Sequence, residues 1–350
     1  MSRLNQIEGI LKKLSQPPFR LNQLLNSIYK ENTLEYSKIT NLPKELRQII
    51  SDEFGDQILT LKPVSESKGR QVHKVLFETK DGERVEAVRM TYYTNAERGH
   101  KLDSLCVSSQ SGCAMGCKFC ATGALGLKKN LTEDEIVDQV LWFTKQGIHI
   151  NNIIFMGMGE PFSNADEVFK AIHTLTDPKF VGMSPRKISV STVGVVPGIE
   201  RLMREFPNVN LALSLHSPFE EERTEIMPVT KAYSIKKVME AVSKHVQTTN
   251  NKVFISYLVL GGINDTAKHA ESLVKLIRNQ GPKSYLYHVN LIMFNPGPTI
   301  GTFKRANPET VRKFKEILDS SHIGCTIRKD FGVEIDAACG QLYAKYSKKQ

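Results

Sequence analysis

Three cysteines lie within eight residues of one another, at Cys113, Cys117 and Cys120, and Gly112 and Gly116 lie beside and between them. Thiolates this close together can wrap one metal centre, and the glycines let the backbone turn tightly around it. A structural zinc ion takes four protein ligands, and no further His or Cys lies nearby at zinc-finger spacing. The pattern therefore favours an iron–sulfur cluster in which one iron has no protein ligand.

The cysteines by themselves are also compatible with different chemistry. The chain has six cysteines and no secretory signal at its N-terminus, so structural disulfides are a poor fit. Free cysteines pack as small apolar side chains, although they rarely gather this densely. A zinc-dependent RNA-binding module and an iron–sulfur protein for electron transfer or scaffolding are the two competing classes of function.

The composition is that of an ordinary globular protein. The chain has 350 residues, of which 40% are hydrophobic and 24% are charged, which excludes disordered and collagenous classes. The longest apolar segment, Val253 to Ile263, is shorter than the roughly 20 residues that a membrane span requires. We therefore expect no membrane segment and a cytoplasmic location. The net charge of +10 suggests a polyanionic partner without identifying one.

The patterning predicts four successive parts: a helical domain at residues 1–63, an adaptor at 64–100, a catalytic domain at 101–343 and a basic tail at 344–350. Apolar residues at three- and four-residue spacing, from Leu21 to Ile28, predict helices in the first part. Alternating apolar residues on both sides of Asp81-Gly82 predict a β-hairpin from Val72 to Tyr93.

Beyond residue 101, short apolar segments alternate with helical stretches, which is typical of strands and helices around a parallel sheet or barrel. Seven segments are predicted strands: Leu105–Ser108, Asn152–Met156, Lys187–Ser191, Asn210–Leu215, Val253–Leu260, His288–Ile292 and Cys325–Arg328. The sequence Thr132-Glu-Asp-Glu135 predicts a capped helix start ahead of Ile136. The expected fold class is therefore α/β, a partial or full barrel that carries a helical domain and a hairpin.

The spacing Cys113-x3-Cys117-x2-Cys120, in a loop after the first predicted barrel strand, resembles the cluster motif of the radical S-adenosylmethionine (SAM) superfamily. The resemblance implies a TIM-like partial barrel of (β/α)6 type and a 4Fe–4S cluster held by the three cysteines. In that superfamily the open iron chelates the amino and carboxylate groups of SAM, and an added electron cleaves SAM to a 5′-deoxyadenosyl radical. The implied cofactors are the cluster and SAM, with two SAM molecules used per turnover.

Further motifs resemble one subfamily, the enzymes that methylate an adenosine of 23S ribosomal RNA. They are Leu105-Cys-Val-Ser-Ser-Gln, Phe155-Met-Gly-Met-Gly-Glu160-Pro, Ser191-Thr-Val-Gly, Ser214-Leu-His216, Asn290-Leu-Ile-Met-Phe-Asn295-Pro and Asp336-Ala-Ala-Cys339-Gly-Gln-Leu. Gly126-Leu-Lys-Lys-Asn-Leu-Thr and Leu215-His-Ser-Pro are more similar to the Cfr-type branch, which methylates carbon 8 and confers antibiotic resistance. Methylation of carbon 2, by the housekeeping branch, remains the alternative.

The resemblance also implies roles for individual residues and partners. Cys339 accepts a methyl group to become S-methylcysteine. Cys106 resolves the RNA adduct by assisting proton removal and forming a disulfide with Cys339, and Glu86 is the other candidate for the acceptor of that proton. The implied SAM contacts are Gly159, Glu160, Ser191, Ser214, Leu215, His216 and Asn295. Without the resemblance, Cys106 is explained as a cysteine packed in a strand. Glu86 is explained equally well as a carboxylate on the exposed face of a strand. The implied partners are 23S rRNA in a precursor or partly folded form and an electron donor such as flavodoxin, with a monomeric enzyme.

Overall fold

The first part of the chain is helical, as its apolar spacing predicts. The computed structural model describes residues 2–93, 99–296, 303–337 and 340–342. The helices are α1 (Arg3–Lys13), α2 (Phe19–Tyr29) and α3 (Lys44–Phe54). Ser2 caps α1, because its side chain accepts a hydrogen bond from the Asn5 backbone N–H. The apolar stripes of these helices, such as Leu24 and Ile28 on α2, are buried against one another and against the rest of the chain.

Four antiparallel strands follow the helices: β1 (Lys62–Lys68), β2 (Val72–Glu78), β3 (Arg84–Tyr93) and β4 (Lys101–Cys106). The predicted hairpin is confirmed as β2 and β3, with Gly82 in the turn at a φ of 83°. Because β3 pairs with β4, the hairpin is not separate but extends the main sheet. The sequence carries no signal for β1, since nearly all of its residues are exposed and the strand is polar.

The remaining strands are β5 (Gln110–Gly112), β6 (Leu127–Asn130), β7 (Ile150–Phe155), β8 (Ile188–Thr192), β9 (Asn210–Ser214), β10 (Val253–Val259), β11 (Tyr287–Met293) and β12 (Gly324–Ile327). From β4 onward the main sheet is parallel, in the order β4, β7, β8, β9, β10, β11, β12. All seven predicted strands overlap strands of this parallel set. Within the described residues β1 and β12 form the two edges of the sheet, so the barrel is open, which confirms a partial α/β barrel.

Helices connect the parallel strands, as such a sheet requires. They are α4 (Ala121–Ala124), α5 (Glu133–Lys145), α6 (Ala165–Thr176), α7 (Val196–Glu205), α8 (Glu220–Ile226), α9 (Ile235–Thr249), α10 (Ala267–Arg278) and α11 (Pro308–Ser320). The capping box at the start of α5 is confirmed, because Thr132 and Glu135 exchange hydrogen bonds between side chain and backbone. In the part of the chain that the structure describes, no helix is both long and apolar enough to cross a lipid bilayer.

A buried ion pair joins the N-terminal helices to the barrel. Arg3 on α1 is 3% exposed, and its guanidinium is paired with the carboxylate of Asp138 on α5, which is fully buried. The Arg3 backbone N–H donates to Asp134 at 2.6 Å, and Thr60 Oγ1 donates to Asp138 at 2.7 Å. Because a buried charge requires a partner, these contacts fix where α1 lies on the barrel.

We expect Arg3→Ala to lower the free energy of unfolding by about 3–5 kcal/mol, because it leaves the buried Asp138 carboxylate without its cation. The matched control is Lys145→Ala. That change removes the surface ion pair of Lys145 with Glu35, at 3.4 Å, and should cost less than about 1 kcal/mol. Urea unfolding of the variants measures both values. Equal, small effects of the two substitutions would contradict the stabilising role of the buried Arg3–Asp138 ion pair.

Candidate active site

The three thiols lie in one loop and face one cavity. This segment, residues 107–126, is called the cysteine loop here, and it follows β4. Cys113, Cys117 and Cys120 all line the same cavity, which has a volume of about 920 Å³ including its mouth, where it is open to solvent. Cys120 N–H donates to the carbonyl oxygen of Cys117 at 3.1 Å, which makes a tight turn. Gly112 has a φ of 72°, and a Cβ there would overlap the carbonyl oxygen of Gly126. The loop can therefore cross itself only with glycine at position 112.

Burial disfavours the charged thiolate form of these cysteines when no metal is bound. Cys113 and Cys117 are each 9% exposed. Burial raises the pKa of Cys113 to about 12 and that of Cys117 well above its usual value, and the neighbouring cysteines raise both further. A coordinated metal centre supplies the positive charge that removes such protons. The loop is thus suited to thiols that become charged only when they bind a metal.

The donor set fits a cluster of several irons better than one zinc ion. The cysteine loop supplies three thiols and contains no histidine, whereas a structural zinc site takes four protein ligands. Cysteine thiolates are the usual ligands of iron–sulfur clusters. Three thiols that line one cavity therefore fit a 4Fe–4S cluster in which one iron has no protein ligand.

The turn after β7 packs directly on the cysteine loop. Gly157 N–H donates to Val107 O at 3.1 Å, and Met158 N–H donates to Ser108 Oγ at 2.8 Å. A Cβ at Gly157 would lie 2.7 Å from both Val107 O and Ser108 Oγ, and one at Gly159 would lie 2.6 Å from the Gln110 side chain. These glycines are required by the contact between two backbones, and both also line the thiol cavity.

Glu160 is a fully buried carboxylate in the wall of the thiol cavity. It accepts hydrogen bonds from the backbone N–H groups of Phe162 at 3.0 Å and Val193 at 2.9 Å. Burial raises its pKa to about 7, against the opposite effect of these two hydrogen bonds. The two bonds fix the direction of the carboxylate between the ends of β7 and β8.

The ends of β8 and β9 bring three more predicted residues to this cavity. Ser191 Oγ and Ser214 Oγ lie 3.3 Å apart, and His216 follows at a φ of 61°. His216 Nδ1 accepts the Leu258 backbone N–H at 2.9 Å, and burial, with the charge of Arg223, lowers the pKa of His216 to about 3. The ring is therefore neutral and carries its proton on Nε2, which makes it a hydrogen-bond donor.

Two predicted SAM contacts differ from the rest. Leu215 is fully buried and packs in the main core, and it is absent from the residues that line the cavity. Asn295 lines a second, adjoining cavity, where its amide contacts Arg305 and Asp330.

The second cavity contains Cys106 and lies beside the first. Its lining also includes Val88 and Phe331, and it shares residues with the thiol cavity, namely Cys120, Met156, Gly157, Ile292, Arg328 and Gly340. Cys106 is buried, at 7% exposed. Cys339 lies outside the described residues, as does the predicted tail at 344–350, but the neighbours of Cys339, Ala337 and Gly340, line the second cavity.

Glu86 is buried, so the interpretation as an exposed strand face is wrong. It is 5% exposed and forms an ion pair with Lys74 at 3.1 Å. Its backbone carbonyl accepts a hydrogen bond from Ser108 Oγ at 2.6 Å, which ties the hairpin to the cysteine loop.

Arg223 is a site residue that the sequence patterns did not predict. It is fully buried and donates to the carbonyl oxygens of Val193 at 2.6 Å and Leu215 at 3.0 Å, which joins the ends of β8 and β9. Burial lowers its pKa to about 10, and it remains a cation near Cys117. The run Glu220-Glu-Glu-Arg223 is typical of a solvated helix face, so its sequence carries no signal of burial.

Comparison with known proteins identifies relatives over nearly the whole chain. The sequence profile of the Radical SAM superfamily matches residues 107–277. The chain is 43% identical to the ribosomal RNA large subunit methyltransferase Cfr of Bacillus velezensis, over 99% of this chain and 97% of that protein. It is 44% identical to the protein of that name from Staphylococcus aureus, over 100% and 98%. A radical SAM methyltransferase from Sphaerobacter thermophilus has a similar crystal structure, with a TM-score of 0.89, 37% identity and 98% of each chain covered.

We expect Gly157→Ala to lower the free energy of unfolding by about 1–3 kcal/mol, because the added methyl group forces the turn away from the cysteine loop. SAM binding should weaken in parallel, since the same turn lines the thiol cavity. The control is Gly9→Ala on α1, where a Cβ would meet nothing within 4 Å. This substitution should stabilise the helix by up to about 1 kcal/mol. Unfolding curves and SAM titration measure these effects; an unchanged Gly157→Ala variant would contradict the close contact.

Proposed function

The chain belongs to the family of the Cfr ribosomal RNA large subunit methyltransferases, within the radical SAM superfamily, and from that membership we propose that it methylates carbon 8 of an adenosine in 23S rRNA. Its cofactors are a 4Fe–4S cluster and SAM. The observation that carries the proposal is the pair of adjoining cavities. One holds the three thiols with polar strand ends, and the other holds Cys106.

In this proposal Cys113, Cys117 and Cys120 hold the cluster, and the strand ends bind SAM. When bound, the cluster supplies the electron that cleaves SAM to a 5′-deoxyadenosyl radical. The buried carboxylate of Glu160 accepts hydrogen bonds from the amino group or ribose of SAM. Ser191, Ser214 and the Nε2–H of His216 offer hydroxyl and N–H groups to its polar atoms, and Gly159 lets the chain pass close by. Leu215 supports the wall of the thiol cavity from the core, and Asn295 supports it from the second cavity.

The methyl group passes through Cys339. The thiolate of Cys339 attacks the methyl carbon of one SAM, so that the new S–C bond forms as the sulfonium S–C bond breaks. A second SAM provides the radical that removes a hydrogen atom from this methyl group, and the resulting carbon radical adds to the adenine ring. The adduct then loses its ring proton to Glu86 and its unpaired electron, for which the oxidised cluster would be the acceptor. Cys106 attacks the sulfur of Cys339, so that an S–S bond forms as the bond between that sulfur and the new carbon breaks, and the carbon takes up a proton to become the methyl group of the released base.

Carbon 8 is chosen over carbon 2 on sequence grounds. The relatives that match over the whole chain are named Cfr, and the motifs at Gly126 and Leu215 are of the Cfr type. Both carbons lie on one flat base, so the same two cavities serve either reaction. Methylation of carbon 2 is therefore the alternative that the test must separate.

The cellular setting belongs to the same proposal. The substrate is 23S rRNA in a precursor or partly folded form, since an adenosine of the peptidyl transferase centre must be unstacked before it enters a cavity. The net charge of +10 favours binding to this polyanion. An electron donor such as flavodoxin reduces the cluster, and the enzyme acts as a monomer in the cytoplasm. Methylation at this position confers resistance to antibiotics that target the ribosome.

The test is expression in bacteria that lack the housekeeping carbon 2 enzyme, followed by mass spectrometry of digested rRNA and of the C-terminal peptide. We expect 8-methyladenosine in the rRNA and a methylated Cys339. Cys339→Ala should give neither, and Cys106→Ala should accumulate a covalent complex of protein and RNA.

Cys325→Ala is the control, because Cys325 is a partly buried thiol that lines neither cavity. It should methylate rRNA at the wild-type level. Formation of 2-methyladenosine alone would assign the enzyme to the other branch, and an unmethylated Cys339 together with methylated rRNA would exclude the S-methylcysteine route.

A further inference from the structure

Lys74 on β2 makes two contacts at the inner face of the sheet. Its ammonium lies 3.1 Å from Glu86 Oε1 on β3 and donates a hydrogen bond to the backbone carbonyl of Asp336 at 3.0 Å. The side chains of Lys74 and Glu86 are 14% and 6% exposed. One partly buried cation thus connects the proposed proton acceptor to the C-terminal segment, by which we mean residues 332–337 and 340, at a position three residues before Cys339.

The strand register explains why Lys74 and Glu86 lie on the same face of the sheet as Cys106. Lys74 is paired with Val88 on β3, and Val88 is paired with Cys106 on β4, so the three side chains share one face of the sheet. Glu86 is two residues from Val88 and therefore also projects from that face. Val88 and Cys106 both line the second cavity. The face that carries Lys74 and Glu86 is thus the face that forms the cavity wall.

The C-terminal segment lies over the same face. A Cβ at Gly332 would be 2.8 Å from the Ala337 side chain and 3.0 Å from that of Val72 on β2, so the backbone approaches the strand closely. Farther along, Ala121 N–H donates to Gly340 O at 2.8 Å, which holds the end of the segment against the cysteine loop. Between the contacts at Gly332 and Gly340, the hydrogen bond from Lys74 to the backbone carbonyl of Asp336 is a polar contact between β2 and the C-terminal segment.

A buried carboxylate is unfavourable without a partner for its charge. Lys74 provides a positive charge beside Glu86, and its ammonium has three hydrogen bonds to donate in different directions. A neutral side chain at position 74 would remove that charge and would release the carbonyl of Asp336. Both effects would change where the proton acceptor stands relative to the methyl-carrying segment.

We propose that Lys74 is a positioning residue that holds Glu86 and the segment leading to Cys339 in register for resolution of the RNA adduct. This inference rests on the proposed function. Lys74 acts after the methyl group has been loaded, since both of its contacts lie on the side of the second cavity rather than at the three thiols. It transfers no proton itself, and its effect passes through Glu86.

The experiment compares Lys74→Met, Lys74→Arg, Glu86→Gln and the double variant Lys74→Met/Glu86→Gln as reconstituted full-length enzymes. Three quantities are measured: S-methylation of Cys339, production of 5′-deoxyadenosine, and the rate at which methylated rRNA is released from the covalent complex. We expect Lys74→Met to keep the first two within about twofold and to slow release by about 10- to 100-fold, as displacement of a catalytic group does.

The remaining variants test how Lys74 acts. Lys74→Arg retains the cation and should recover release to within about fivefold of the wild type. The double variant should be no slower than Glu86→Gln, because coupled residues give non-additive effects. Lys170→Met is the control, since it removes an exposed ion pair with Glu167 at 2.7 Å on the outer face, and should release rRNA at the wild-type rate. If Lys74→Met does not fold, Lys74→Gln replaces it with the same expectation.

Two results would overturn the inference. Wild-type release by Lys74→Met would exclude any role, and an equal fall in Cys339 methylation, 5′-deoxyadenosine and release, without rescue by arginine, would show that Lys74 serves only stability. If the wild-type enzyme forms no methylated rRNA, the proposed function itself is wrong. That outcome is therefore distinct from a failure of the inference about Lys74.

Discussion

The close contact between the cysteine loop and the turn after β7 is the constraint on which the rest of the site depends. Two backbones meet there with no space for a Cβ at Gly157 or Gly159. The contact sets the three thiols beside the carboxyl ends of the strands, where the polar groups of β7, β8 and β9 converge. Buried thiols in such a place remain protonated unless a metal supplies charge, so the loop position and the metal chemistry are linked.

The electrostatics of the site follow from burial. His216 is kept neutral because its pKa is lowered, the pKa of Glu160 lies near neutrality, and Arg223 is a buried cation at the ends of β8 and β9. The Lys74–Glu86 pair lies on the same strand face as Val88 and Cys106, which line the second cavity. Each of these groups is held by backbone hydrogen bonds or by a partner side chain. Burial and these contacts fix the positions of the groups that we propose bind the cofactor.

Much of this arrangement could be predicted from the sequence. The thiol spacing, the alternation of strands and helices, the hairpin around Gly82 and the capping box at Thr132 all rest on local patterns, and the hairpin, the strands and the capping box are confirmed. Strand β1 could not be predicted, because it is polar and exposed. The buried positions of Arg223 and Glu86 could not be predicted either, since each depends on contacts with other elements, Arg223 with Val193 and Leu215 and Glu86 with Lys74, that local patterns do not reveal. The Arg3–Asp138 ion pair, across 135 residues, is missed for the same reason.

Everything proposed for this site depends on the three thiols holding a 4Fe–4S cluster whose open iron binds SAM. Anaerobic reconstitution of the purified protein with iron and sulfide, followed by dithionite and SAM, tests this proposal most directly. We expect about four irons per chain, a brown chromophore, and formation of 5′-deoxyadenosine that is lost when Cys113, Cys117 and Cys120 are replaced by alanine. A colourless protein that binds zinc, or a cluster that never cleaves SAM, would contradict it.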